Sequence, residues 1–217
     1  MHALVRFGKW QEIIDEPLPD DPKLYCVTTA MIHYAKGLAH AARGEIEAAE
    51  EEKTRFNDAF ARVPETRYIF NNKCLDLLAI ADEMLKGEIE YRKGNYEQAF
   101  THLRQSVELD DNLPYDEPWG WMQPTRHALG ALLLEQGRVA EAEQLYRADL
   151  GLDNTLSRAL QHPENVWSLH GYVECLNRQH KYSEAATAQA RLNLAMARAD
   201  VPINASCYCR LEKTCCD

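Results

Sequence analysis

The sequence predicts an all-α fold built from antiparallel helical hairpins. Three segments repeat one pattern: a glycine, a second glycine seven residues later, an apolar residue two positions further on, and then an alanine. Alternation of apolar and polar residues, which is typical of β-strands, does not compete with this pattern. The repeated segments are residues 34–50, 84–100 and 126–143.

The two glycines of each copy have different expected roles. Without a side chain, the first glycine allows two helices to pack closely. The second ends the first helix in the left-handed conformation, and the alanine that follows seats the second helix against the first. The close-packing glycines are Gly37, Gly87 and Gly130, and the turn glycines are Gly44, Gly94 and Gly137.

Two further segments carry the pattern less completely. The segment 163–198 keeps Gly171 but has two extra residues before the turn, where His180 replaces the usual glycine, so we expect a longer hairpin. Residues 1–19, with Gly8 at the turn, look like the second half of a hairpin. Because repeats cover one another's apolar faces, this half hairpin predicts missing upstream repeats, another covering element or a homo-oligomer.

We expect one domain over residues 1–217, interrupted by irregular segments. The spacing of the close-packing glycines exceeds the usual repeat of about 34 residues, so the excess must form longer helices or insertions. Residues 67–94 indicate an extended first helix, while prolines and tryptophans in residues 109–125 exclude a continuous helix. The predicted parts are a half hairpin at 1–19, hairpins at 24–63, 68–110, 124–150 and 163–198, and a tail at 199–217.

These positions resemble the pattern W-x2-L-G-x2-Y…G-x-Y-x-x-A of the tetratricopeptide repeat (TPR) family, and the resemblance covers most of the chain. It implies a right-handed superhelix of antiparallel hairpins, here with two ordered insertion loops, that binds a peptide or protein segment in its concave groove. Residues 114–153, 161–176 and 199–210 resemble the C-terminal half of larger uncharacterised TPR proteins. That second resemblance implies a fragment or a shortened relative and no activity.

The first helices of the hairpins are expected to line the groove. The spacing of the glycines places aromatic and polar residues there. The expected groove lacks the cations with which other TPR domains hold acidic tails. The insertion loop is expected to form a rim, although its tryptophans could instead only anchor the loop by packing. The expected groove residues are Tyr34, Glu88, Tyr91, His127 and Tyr172, and the expected rim residues are Trp119, Trp121 and Gln123.

Composition excludes several classes of partner. With 34 acidic against 24 basic residues, the net charge of −10 repels nucleic acid and anionic lipid. No apolar run is long enough to cross a bilayer, and cysteines in apolar helical sequence favour a reducing, cytoplasmic location. Motifs of phosphate loops, serine hydrolases and zinc proteases are missing, so a non-enzymatic scaffold is the preferred function.

A metal-binding protein or metalloenzyme is the alternative hypothesis. In an extended tail, the two cysteines of the C-x-C motif point to the same side and could meet histidines in a set that suits zinc or copper. Alternatively, they are buried small residues that fix the tail. Cys215 and Cys216 are expected to form an exposed end. The expected metal ligands are Cys207, Cys209 and His127 with His33 or His170.

Overall fold

The computed structural model describes residues 1–210 and confirms the all-α fold of antiparallel hairpins. Within these residues there are ten α-helices, one short 3-10 helix and one two-stranded β-hairpin. The helices are α1 (His2–Arg6), α2 (Trp10–Asp15), α3 (Cys26–Ala42), α4 (Ile46–Phe60), α5 (Cys74–Arg92), α6 (Tyr96–Asp111), α7 (Thr125–Glu135), α8 (Val139–Asp149), α9 (Val166–Arg178) and α10 (Tyr182–Met196), the strands are β1 (Tyr68–Ile69) and β2 (Asn72–Lys73), and the 3-10 helix is Arg158–Leu160.

The described chain divides into two compact units, residues 1–125 and the residues from 126 onward. The first unit holds the hairpins α3–α4 and α5–α6, and the second holds α7–α8 and α9–α10 apart from the first residue of α7. The single-domain arrangement and the right-handed superhelix therefore stay predictions. None of the described helices is both long and apolar enough to span a bilayer.

Two glycines of the first unit lie where a side chain would not fit. A Cβ atom at Gly37 would be 2.7 Å from Cδ1 of Leu85, and one at Gly87 would be 2.7 Å from Cγ of Leu103. Both leucine side chains are buried, so they have little room to move away. The expected role of the first glycine in each copy is confirmed at these positions.

Tyr146 of α8 is the centre of the second unit. Its fully buried ring lies against two glycines: a Cβ at Gly130 of α7 would be 2.6 Å from Cζ, and one at Gly171 of α9 would overlap the ring. Its hydroxyl shares a 2.7 Å hydrogen bond with Oγ of Ser206, and burial raises the pKa of Tyr146 well above its ordinary value. One neutral tyrosine therefore joins three helices and the C-terminal tail.

The turn glycines are required by backbone conformation alone. Gly44, Gly94 and Gly137 have φ angles of 78°, 83° and 74°, and an added Cβ at any of them would meet nothing within 4 Å. His180 has a φ of 59° between α9 and α10, so it occupies the turn position that glycine holds in the other hairpins. This confirms the expected location of the fourth turn.

The prediction of one extended first helix across residues 67–94 is wrong at its beginning, because residues before α5 form the β-hairpin. Asp116 of the first insertion favours the hairpin: its Oδ2 accepts hydrogen bonds from Asn71 N at 3.1 Å and Asn72 Nδ2 at 3.2 Å. Phe70 between the strands has a φ of 50°, which a helix does not permit. Helix α5 therefore begins only at Cys74.

The two predicted insertions are confirmed as irregular segments. Residues 112–124 contain no helix, and residues 150–165 contain only the short 3-10 helix. Prolines account for the first segment, since Pro114 and Pro118 cannot continue α6.

Exchanging histidine for glycine at one turn and glycine for histidine at another tests the energetic cost of the left-handed backbone conformation. We expect His180→Gly to raise the free energy of unfolding by about 1 kcal/mol, because glycine relieves the strain of a left-handed residue. Gly137→His should lower it by a similar amount, since its Cβ would meet nothing and only the backbone is strained. Urea unfolding measures both variants, and a loss of stability in His180→Gly would contradict the expected relief of strain.

Candidate functional site

The five predicted groove residues are buried within their units. Tyr34, Glu88, Tyr91, His127 and Tyr172 are only 2–5% exposed. Side chains with so little exposed surface mainly contact other parts of the chain. Their part in binding therefore stays a prediction.

The contacts of these residues account for their burial. Tyr34 packs its ring against Trp121, with centroids 5.7 Å apart, and Glu88 Oε1 pairs with Arg92 Nη2 at 2.6 Å. The Tyr172 hydroxyl accepts a hydrogen bond from Arg147 Nη1 at 3.1 Å. These contacts lie within each unit and stabilise its helices.

The two tryptophans predicted to form the rim have different surroundings: Trp121 is buried, and Trp119 is exposed. Trp121 is 4% exposed and lies 4.7 Å from the His2 ring, centroid to centroid, while Trp119 is 44% exposed. Gln123 Nε2 donates a hydrogen bond to the His2 carbonyl. Burial lowers the pKa of His2 to about 4, helped by the N-terminal amino group and Arg6, so this ring is neutral near pH 7. Trp121 thus anchors the insertion loop, as the packing alternative proposed.

An apolar cleft of about 260 Å³ opens beside Trp121 in the first unit. We name it the first cleft. It lies between α3, which supplies Val27, Thr28 and Met31, and the beginning of α5. Sequence reasoning placed a groove on these two helices and counted Met31 among its positions, but Tyr34, Glu88 and Tyr91 do not line the cleft. The lining residues are Met1, His2, Val27, Thr28, Met31, Ile69, Leu77, Leu78, Gly120 and Trp121.

A second cleft, of about 230 Å³, adjoins the first and shares Val27, Thr28 and Ile69 with it. The β-hairpin forms one side, and Arg67 is its one charged lining residue. Sequence reasoning missed this site because residues 67–73 were assigned to a helix. The signal was the run Tyr68, Ile69 and Phe70 before two asparagines. The lining residues are Leu24, Tyr25, Val27, Thr28, Arg67, Tyr68, Ile69 and Cys74.

The second unit contains a buried polar cluster around Asp149, the last residue of α8. Its Oδ2 lies 2.9 Å from His127 Nε2 and accepts a hydrogen bond from Asn165 Nδ2 at 2.7 Å, while its Oδ1 lies 2.8 Å from His162 Nδ1. Ser168 Oγ also donates to Oδ2. Asn165 is the N-cap of α9, since its side-chain oxygen accepts from Ser168 N. The cluster joins α7, α8, α9 and the second insertion.

The electrostatics of the cluster favour an ionised Asp149. Burial alone would raise the pKa of its carboxyl group, but the charge of His127 and hydrogen bonds from His127 and His162 hold that pKa well below the ordinary value. A buried carboxylate with several donors is stable as an anion. Sequence reasoning identified His127 but not Asp149 or His162, which follow it in the chain by 22 and 35 residues.

The geometry of the cluster is not that of a serine-hydrolase relay. In such a relay, histidine uses one ring nitrogen for the carboxylate and the other for serine. Here Nε2 of His127 lies 2.9 Å from Asp149 Oδ2 and 2.8 Å from Ser168 Oγ, so both contacts use one nitrogen. Ser168 is fully buried and donates directly to Asp149. The arrangement positions helices and does not activate the serine.

Comparison with known families identifies the repeats in the middle of the chain. Residues 77–150 match the family model of the tetratricopeptide repeat. This part of the chain belongs to the tetratricopeptide repeat family. Neither a curated protein nor a solved structure matches the chain. TPR repeats generally mediate protein–protein interaction, which is the level of function that the family assignment supports.

The predicted metal ligands have other partners in the described chain. Cys207 and Cys209 form a disulfide, so neither sulfur is a thiolate. The tail was predicted to be extended here, but Cys207 and Cys209 have Cα atoms 5.3 Å apart, and Arg210 N donates to Cys207 O in a turn. That prediction is wrong, because two residues of extended chain span about 6.6 Å.

The histidines also have separate surroundings. His33 Nδ1 lies 2.7 Å from Glu52 Oε2, and burial lowers the pKa of His170 against the opposing effects of Ile203 and Glu174. Within residues 1–210, no group of three or more His, Cys, Asp or Glu side chains is arranged to hold a metal ion. The metal hypothesis gains no support there. Cys215 and Cys216 lie outside the described residues.

Replacing the charged Asp149 with a neutral residue is expected to lower the free energy of unfolding measurably. We expect Asp149→Asn to lower the free energy of unfolding at pH 7 by about 3 kcal/mol, because it leaves buried donors without their carboxylate. Asp200→Asn, at an exposed aspartate, is the matched control and should change stability by less than about 0.5 kcal/mol. Chemical denaturation of both variants gives the comparison.

The contribution of Asp149 to the free energy of unfolding should change with pH in a defined direction. Because the pKa of Asp149 is lowered in the folded state, its stabilising contribution is present above the unfolded-state pKa of about 3.9 and is lost as the pH falls below it. The stability difference between wild type and Asp149→Asn should therefore shrink between pH 5 and pH 3. A difference that stays constant over this range would contradict an ionised Asp149.

Proposed function

We propose that the chain is a non-enzymatic TPR scaffold that binds a peptide or protein segment on its first unit. The observation that carries the proposal is the first cleft, which lies between the first helices of two successive hairpins, α3 and α5. In the TPR family, the first helices of the hairpins line the groove that receives a partner. The cleft occupies the corresponding helices in this chain.

The chemistry of the first cleft favours an apolar side chain of a partner. Val27, Met31 and Leu77 supply apolar walls, and the neutral His2 ring adds no charge at pH 7. The cleft volume of about 260 Å³ is below the roughly 300–1,000 Å³ of small-molecule pockets. A protein segment that inserts one side chain and continues over the neighbouring surface suits this size better than a compact metabolite.

Two features of the proposal rest on composition and on the N-terminal half hairpin. The buried free thiols at Cys26, Cys74 and Cys175 favour a cytoplasmic location, whereas the Cys207–Cys209 disulfide is more typical of an oxidising compartment. We propose that a second copy of the chain covers the N-terminal segment of α1 and α2, whose turn lies at Gly8. Location and self-association are proposals that separate experiments can test.

Selection from a displayed random peptide library tests the proposed binding surface. We expect wild-type protein to select peptides, and Met31→Glu to weaken their binding at least about tenfold, because a carboxylate in an apolar cleft has no partner there. Leu194→Glu is the control, since Leu194 lies on α10 and is 69% exposed. Circular dichroism checks that both variants fold.

The proposal has two clear ways to fail. Selection of no peptide above background by folded wild-type protein would contradict peptide binding. Equal affinity of the selected peptides for wild type and Met31→Glu would contradict the first cleft as their site.

A further inference from the structure

We infer that the two adjoining clefts form one docking surface for an extended segment of a partner protein that carries apolar side chains and a nearby Asp or Glu, with Arg67 pairing with the acidic residue. The inference rests on the proposed function and adds the chemistry of the partner.

The apolar surface around the second cleft extends beyond the cleft itself. Five hydrophobic residues between 41% and 72% exposed lie on the β-hairpin or just before α3. Four of them also line the second cleft, so they form one contiguous patch with it. Exposed apolar patches of this kind are typical of protein interaction sites. The exposed residues are Leu24, Tyr25, Tyr68, Ile69 and Phe70.

The β-hairpin, which carries three of these five residues, is held in place by the first insertion. Asp116 accepts hydrogen bonds from the backbone of Asn71 and the side chain of Asn72, and Asn71 Nδ2 donates to Tyr115 O at 3.0 Å. Gly120 of the same insertion packs closely on Asn72, where a Cβ would lie 2.7 Å from Nδ2. A surface that is already ordered binds with a smaller entropic cost.

Arg67 supplies the charge that selects the partner. Its Nη2 donates to the Leu24 carbonyl at 3.5 Å, and no ion pair of Arg67 with a carboxylate occurs in residues 1–210. Asp21, three residues before Leu24, uses its Oδ1 to accept hydrogen bonds from Lys23 N and Leu24 N. The guanidinium of Arg67 lines the second cleft and is complementary to an acidic side chain of a partner.

The arrangement of the two clefts indicates how a bound partner segment would be placed across them. Val27, Thr28 and Ile69 line both clefts, whose volumes of about 260 and 230 Å³ are each below the usual size of a small-molecule pocket. Alternate side chains of an extended peptide point to the same side, so one segment can place an apolar side chain in each cleft. The second cleft contains Arg67, which places the acidic residue at that end of the surface.

Charge reversal at Arg67 tests the inference with the same displayed random peptide library. We expect peptides selected on wild type to be enriched in Asp or Glu beside apolar residues, and to bind Arg67→Glu at least about tenfold more weakly. Fresh selection on Arg67→Glu should enrich Lys or Arg instead. Arg62→Glu, an exposed arginine that lines neither cleft, is the matched control and should leave affinity and selection unchanged.

The outcomes separate this inference from the proposed function. Selected peptides without acidic enrichment, with equal affinity for wild type and Arg67→Glu, would overturn the role of Arg67 while peptide binding stands. Selection of no peptide would overturn both. A wild-type dimer in sedimentation that Ile69→Asp dissociates would make a second copy of the chain the occupant and would overturn a peptide partner.

Discussion

Close packing of helices at glycine is the constraint on which the hairpins of both units depend. At Gly87 and Gly130, the space of a missing Cβ is filled by Leu103 and Tyr146 from the second helix of the same hairpin. Since interiors pack at crystal-like density, these contacts fix the distance between the helices and leave no room for a larger residue. Tyr146 extends the constraint further, because its ring also contacts Gly171 of the next hairpin and its hydroxyl reaches Ser206 in the tail.

The insertions add specificity to this repeated framework. In the first unit, Asp116 holds the β-hairpin and Trp121 fixes the loop against α3 through Tyr34. In the second unit, Asp149 gathers donors from the second insertion and from α9. Both aspartates use buried carboxylate oxygens to organise irregular backbone, which is a strong and directional interaction. Hairpins provide the rigid helices, and the insertion of the first unit shapes the clefts proposed to receive a partner.

The hairpins could be predicted from sequence because their determinants are local and recur at fixed spacing. Gly94 and Ala99 act within one turn and one helix, and even His180 could be recognised as a turn residue by its position. The β-hairpin could not, because Asp116, which stabilises it, follows Asn71 by 45 residues. The Asp149 cluster likewise depends on residues that only folding brings together. Burial of the predicted groove tyrosines could not be inferred either, since the glycine register gives a helix face but not what covers it.

A double-mutant cycle at Gly87 and Leu103 tests the glycine constraint most directly. Gly87→Ala should destabilise wild type by about 1–3 kcal/mol through overpacking, but in a Leu103→Ala background its cost should disappear, because the clashing side chain is gone. Gly94→Ala in the same two backgrounds is the control, since its cost comes from the backbone alone. We expect strong coupling between Gly87 and Leu103 in urea unfolding and none for Gly94. Additive effects of Gly87→Ala and Leu103→Ala, within about 0.5 kcal/mol, would contradict close packing at glycine as the basis of the fold.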